Sequence, residues 1–178
     1  IGYHSVSVLA DAVAKGLPLD KEEVLKAMVS SSTIPYLDGT GEYMEKGYVA
    51  LDHNGSAASL TLEYAYDDWT IYHTALLAGN RSVADTYKKR AANYTNVFDT
   101  NMGYARPRYA DGRWKENFNL LNTHGEGFIE GNALNYSFYV PQDVDNMIRL
   151  MGGDKSFVSK LDSLFTMHLP AEFFAQTE

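Results

Sequence analysis

The stretch with the most chemical possibility is Thr123-His-Gly-Glu-Gly-Phe-Ile-Glu-Gly-Asn132, where two carboxylates, an imidazole and three glycines precede an apolar periodic segment. Glycines at this density let other backbone, or a ligand, approach the chain closely. Glu130 falls at the junction of loop and helix, so the helix fixes its backbone while its carboxyl projects into whatever the loops enclose. With Phe128, Ile129 and Phe118 as apolar neighbours, its charged form would be disfavoured and a proton kept available for a leaving group near neutral pH. That is general-acid behaviour. The residues alone leave two alternatives open. Glu130 also reads as a helix-start carboxylate stabilised by the helix dipole, and Glu126, four residues earlier, competes for the acid role. His124 reads as a loop or core histidine.

A second cluster, Glu63-Tyr-Ala-Tyr-Asp-Asp-Trp69, sets three carboxylates on a segment that is otherwise apolar nearly all the way round. Buried acids need partners or a wet cavity. The spacing puts Glu63 and Asp67 one helical turn apart on the same face, able to line a polar pocket opposite an arginine such as Arg106 or Arg108. Structural ion pairing explains the same residues equally well. Asp143 and Asp145 read as a solvated helix face. No run of oxygen donors has the spacing of a calcium loop, and the absence of cysteine removes disulfides and thiolate sites.

The elements that must position these groups are mostly helical. Val6, Leu9, Ala10 and Val13 predict a first helix over 3–15, stopped by Gly16 and Pro18. Asp20 caps a second helix that ends before Pro35 and completes an αα-hairpin. The glycine-rich stretch 36–55 reads as a long irregular loop. A third helix over 59–77, apolar on every side, belongs in the interior. A fourth, 81–97, is amphipathic, with Val83, Tyr87, Ala91 and Tyr94 as its buried stripe. Asp111-Gly112 predicts a tight β-hairpin within 103–114. A fifth helix begins near Gly131, carries Leu134, Phe138, Val144, Ile148 and Met151 on one side, and kinks at Pro141. The last, 154–167, has Asp154 as its cap.

Interior and surface helices alternating as hairpins predict an all-α fold, a partial α/α toroid with a small β-hairpin insert. Nothing divides residues 1–178 into two domains. Ile1 opens directly into a periodic segment and the chain stops after Phe173 and Phe174 without a closing element, so both ends read as cut. A formal net charge of -8 argues against a nucleic-acid partner. No apolar run approaches the roughly 20 residues of a membrane span, and the start lacks the pattern of a signal peptide. The 13 tyrosines supply stacking surfaces for sugar rings or ordinary core.

Six motifs then occur in one order: Tyr3-His4 with Ala10-Asp11-Ala12, Leu62-Glu-Tyr-Ala-Tyr-Asp-Asp-Trp69, Arg106-Pro-Arg108, Glu130-Gly-Asn132, Tyr139-Val-Pro-Gln-Asp143 and Leu150-Met-Gly-Gly153. Together they resemble glycoside hydrolase family 92 over almost the whole chain. The resemblance implies an exo-acting α-mannosidase, inverting and calcium-dependent, whose α/α-toroid catalytic domain follows a β-sandwich domain. It implies export by a glycan-foraging bacterium to the periplasm or cell surface. The glutamate of the Glu-Gly-Asn motif is the family's general acid, here Glu130. Asn132, Asp67, Asp68 and Trp69 would lie at or near the sugar. The implied partners are a mannose-containing glycan and the remainder of the same catalytic domain.

The Gly-Asn-Glu-Pro segment that supplies calcium ligands, and the later paired aspartates that supply the base, have no match before Glu178. This stretch is therefore expected to bind no calcium itself. Inverting hydrolases hold acid and base roughly 6.5 to 9.5 Å apart, and half of that pair is missing. The competing reading is a non-catalytic carbohydrate-binding helical module. Residues 1–178 expressed alone are expected to release no mannose from an α-mannoside in the presence of calcium. Turnover by this stretch alone, followed by reducing-sugar assay, would contradict the fragment reading.

Overall fold

The computed structural model describes residues 3–123 and 125–170; Ile1, His124, Phe173 and Phe174 lie outside them. The first helical hairpin forms as the periodicity predicts, from α1 (Ser5–Ala14) and α2 (Lys21–Ser31). Asp20 caps α2 by accepting the amides of Glu22 and Glu23 at 2.9 and 3.1 Å. Next, α3 (Thr40–Lys46) occupies part of the stretch read as an irregular loop. Gly39 and Gly47 both hold left-handed backbone, with φ of 77° and 78°. These glycines punctuate a short helix instead of replacing one, and buried Tyr43 ties it to the core.

The interior helix is α4 (Ala57–Leu77), with Leu62, Tyr64, Ala65, Ile71 and Ala75 all buried. It runs through two apolar clusters. One gathers α1, α2, α4 and α5 (Arg81–Arg90) around Val6, Met28, Tyr64 and Tyr87. The other gathers the later segments around Leu62, Tyr94, Phe128, Val140 and Met151.

Three later expectations are corrected. The fourth helix does not reach residue 97: α5 ends at Arg90, and a 3₁₀ helix (Asn93–Val97) follows. Tighter winding directs Tyr94 and Val97 into the second cluster while Tyr87 stays in the first. Pro141 interrupts the fifth helix instead of kinking it, leaving α6 (Ala133–Tyr136) and α7 (Val144–Leu150), the second restarted by Asp143 as its cap. At α8 (Asp154–Thr166) Gly153 holds the cap position and Asp154 is the first helical residue. The turn at Asp111-Gly112 forms, closed by an Arg108–Trp114 bridge. A second, unforeseen hairpin pairs β1 (Phe98–Asp99) with β2 (Tyr104–Ala105).

A buried ion pair locks the first cluster. Asp68 is 0% exposed and receives the hydroxyls of Tyr3 and Tyr43 and two nitrogens of Arg90, at 3.1 and 3.0 Å. Arg90 in turn lies over the rings of Tyr87 and Tyr43. Burial pushes the Asp68 carboxyl up to about 6, against the pull of Arg90 and the hydrogen bonds from Tyr3, Tyr43 and Arg90. Removing one partner of such a pair strands a buried charge. Arg90→Met in the full-length protein is expected to cost about 3 kcal/mol in urea unfolding near neutral pH. Without the guanidinium Asp68 takes a proton in the folded state more readily than in the unfolded one. The penalty should therefore be smaller at about pH 5 than at about pH 8.

Candidate active site

The Glu130 segment is fastened to the start of α4. The Gly127 carbonyl accepts the amides of Ala58 and Ser59 at 2.9 and 3.1 Å, satisfying N–H groups that a helix start leaves over. The Gly127 amide donates to Gly55 O at 2.9 Å, and the Ile129 amide to Ser59 Oγ at 3.2 Å. Phe128 is fully buried between these anchors. Gly127 has φ of 105°, and a Cβ there would stand 2.1 Å from the Pro107 ring, so no other residue fits.

Directly after this anchored stretch, Glu130 adopts φ of 55°, a left-handed conformation unusual for a glutamate. A Cβ on Gly131 would lie 2.9 Å from two atoms of the Tyr136 ring, so the Glu130–Gly131 turn rests against that ring. Asn132 then caps α6, accepting from the Leu134 amide at 3.0 Å, while its own amide donates to Asn135 at 2.8 Å.

Tyr136 leads into a chain of polar contacts. Its hydroxyl donates to Glu63 Oε1 at 2.9 Å. Glu63 Oε2 lies 3.4 Å from His4 Nε2, and His4 Nδ1 lies 2.7 Å from Asp67 Oδ2. Both ring nitrogens of His4 thus face carboxylates, an arrangement that only the doubly protonated ring satisfies on both sides. The hydrogen bond to Asp67 raises the His4 pKa, and the charges of Asp67, Glu63 and Asp38 add to this against a smaller opposing effect of burial. Burial pushes Asp67 upward while His4 pulls it back, and the geometry supports the ionised pair. Burial and the charges of Glu63 and Glu130 keep the Tyr136 hydroxyl protonated. Beside this chain Tyr66 stacks on Trp69 at 5.9 Å and meets the edge of Tyr139.

The expected residues therefore divide. Glu130 borders the polar chain through Tyr136, and Asp67 belongs to it. Trp69 sits half-buried on the neighbouring aromatic surface. Asp68 points the other way, into the Arg90 network, with both oxygens already engaged. Asn132 commits its side-chain oxygen and its backbone amide to capping α6. Glu126 forms an ion pair with Lys115 at 2.6 Å. Neither Arg106 nor Arg108 faces Glu63 and Asp67: Arg106 pairs with Asp99 at 2.9 Å, and Arg108 holds the Gly112 carbonyl. Both guanidiniums serve the hairpins, and His4 takes the place expected of an arginine. The apolar enclosure expected around Glu130 is also incomplete. Phe128 is buried beneath it and stacks toward Phe118, but Glu130 itself is exposed. His4, Tyr136 and Tyr139 are the residues that spacing did not single out. Their contacts with α4 cross about 60 to 70 positions of sequence, and no local periodicity marks them.

The model of the glycosyl hydrolase family 92 catalytic domain matches residues 1–177. The chain belongs to glycosyl hydrolase family 92. Among solved structures, a GH92 α-mannosidase of Bacteroides thetaiotaomicron superposes with a TM-score of 0.90 at 37% identity, covering 95% of this chain and 22% of that one. A GH92 inverting mannosidase of the same organism superposes with a TM-score of 0.86 at 33% identity, covering 92% of this chain and 23% of that one. A secreted glycosidase of Arthroderma benhamiae, described as uncharacterized, is 26% identical over 202 residues, covering 92% of this chain and 26% of the fungal protein. The chain thus spans about a quarter of these GH92 and glycosidase relatives.

Left-handed backbone at a non-glycine residue costs about 1 to 2 kcal/mol, and such strain concentrates where function holds it in place. Glu130→Gly is expected to raise the stability of the full-length protein by about 0.5 to 1 kcal/mol, net of glycine's added chain entropy. A urea melt that shows lowered stability would mean that the Glu130 side chain helps to hold the turn.

Proposed function

We propose that the protein is an inverting exo-α-mannosidase that removes mannose from glycans, with Glu130 as the general acid. Membership of GH92 and the mannosidases among its structural neighbours support the reaction class. The observation that carries Glu130 is its strained, anchored turn seated on Tyr136, at the end of the chain of contacts through Glu63, His4 and Asp67. In this reading protonated Glu130 hands its proton to the glycosidic oxygen as the bond from that oxygen to the anomeric carbon breaks. Water adds to that carbon from the opposite face, and a base outside these 178 residues takes the water's proton. Beside the Glu63 and Asp67 carboxylates, the Tyr66, Trp69 and Tyr139 rings offer surfaces where sugar C–H faces could stack. Asn132 contributes by fixing the backbone next to Glu130.

Calcium dependence comes to this reading from the family. The residues described here do not fit a calcium cage: among them no group of three or more His, Asp or Glu is arranged to hold a metal ion, and the Glu63 and Asp67 carboxylates close on the His4 ring between them. Its ligands would come from elsewhere in the protein, as would the partner surfaces of the catalytic domain. Secretion of a relative supports placing the protein outside the cytoplasm; a bacterial periplasm or cell surface comes to this reading from the family resemblance. No described helix is long and apolar enough to cross a membrane.

Glu130→Gln in the full-length enzyme separates acid catalysis from sugar holding. The expected result is a fall in kcat of roughly a hundredfold or more on a mannobiose, with the substrate still bound in calorimetric titration. Unchanged turnover would remove Glu130 from the mechanism. A full-length wild-type protein that binds mannosides without cleaving them would favour the carbohydrate-binding module instead.

A further inference from the structure

Between Glu130 and the body of the molecule lies a continuous set of contacts that the acid role does not by itself require. Helix α1 begins immediately after His4, whose ring packs 5.7 Å from Tyr64 and whose backbone carbonyl accepts the Ser7 hydroxyl. This seats the imidazole over α4, between two carboxylates one turn apart. Asp67 holds it at 2.7 Å and is nearly closed to solvent, with 3% of its side chain exposed. Glu63 meets the other ring nitrogen at 3.4 Å and is itself only a quarter exposed. The second oxygen of Glu63 is fixed by Tyr136. The ring of Tyr136 supports the Glu130–Gly131 turn.

A neutral imidazole could donate to one carboxylate only and would turn a lone pair on the other. The contact to Asp67 is the shorter and the more buried, so Glu63 is the one released when the ring loses its proton. A freed Glu63 no longer holds the Tyr136 hydroxyl in one place. The turn that carries Glu130 then loses its support on that side, although its anchors at Gly127 and Ile129 remain.

We propose that His4 is a positioning residue for Glu130: its imidazolium fixes Glu63, Glu63 fixes Tyr136, and the Tyr136 ring holds the Glu130 turn in the geometry for proton donation. The proposal rests on the α-mannosidase reading. It assigns His4 and Tyr136 no contact with the reacting atoms. Their effect is confined to the step that needs the acid.

The test uses the full-length enzyme and two substrates: a mannobiose, whose leaving group needs a proton, and 2,4-dinitrophenyl α-mannoside, whose leaving group does not. His4→Gln and Tyr136→Phe are each expected to lower kcat on the mannobiose about tenfold or more, leaving KM within about twofold and the dinitrophenyl substrate little changed. The double variant is expected to be no slower than either single one, because both break the same chain. Equal losses on the two substrates, or losses in the two variants that multiply in the double, would overturn the proposal while the mannosidase reading stands. A wild-type enzyme that cleaves neither substrate overturns the reading itself, and the proposal falls with it. If His4→Gln fails to fold, Tyr136→Phe decides by the same substrate ratio.

Discussion

One constraint shapes this structure: a single interior helix carries Glu63, Asp67 and Asp68, and each carboxylate must find compensation inside an apolar setting. Asp67 and Asp68 are consecutive, so helical geometry turns them about 100° apart and the same partner cannot serve both. Asp68 points toward α5 and is neutralised by Arg90, with Tyr3 and Tyr43 filling its remaining acceptor positions. Asp67 points with Glu63 toward the start of α1 and meets His4. The fold is arranged around these two solutions. The segment before α1 supplies Tyr3 to one and His4 to the other, and α3 contributes Tyr43.

The two solutions differ in what they leave available. The Asp68 network is closed: a bidentate guanidinium and two phenols saturate the carboxylate, and aromatic rings cover the guanidinium. Such a network resists rearrangement and suits a scaffold. The Asp67 network is open on one side, because His4 has about half of its side chain exposed and Glu63 a quarter. Its central cation is also one whose charge depends on pH, where the arginine's does not. Chemistry that needs solvent access and protons to move belongs with the second arrangement. It is to this side that Tyr136 brings the Glu130 turn.

How much of this was legible in the sequence follows from the range of each interaction. The helices of the first half, the cap at Asp20 and the interior character of α4 depend on neighbours within one or two turns, and periodicity marks them. Glu63 and Asp67 could be placed on one face for the same reason. Their partner could not: an arginine is the commoner answer to a buried carboxylate, and only the packing of α1 on α4 selects His4. Composition misled between residues 36 and 55, where glycines that read as loop bracket α3. Pro141 was legible as a disturbance, but Asp143 recapping a new helix turned a kink into a break. For Glu130, the family motif marked the residue, while its left-handed backbone and exposure are tertiary facts.

The conformation of Glu130 and the fastening around it belong together. A strained residue on a free loop relaxes, so strain persists only where neighbouring contacts over-determine the backbone. Here those contacts come from both sides. Upstream, Gly127 and Ile129 are hydrogen-bonded to the start of α4, and Phe128 is buried in the second cluster. Downstream, Asn132 and Asn135 close the capping box that starts α6, and Tyr136 is tied to Glu63. Both fastenings end on the same helix, one at its first turn and the other at Glu63 in its second. The position of Glu130 is therefore set by α4, and any force that shifts that helix shifts the candidate acid with it.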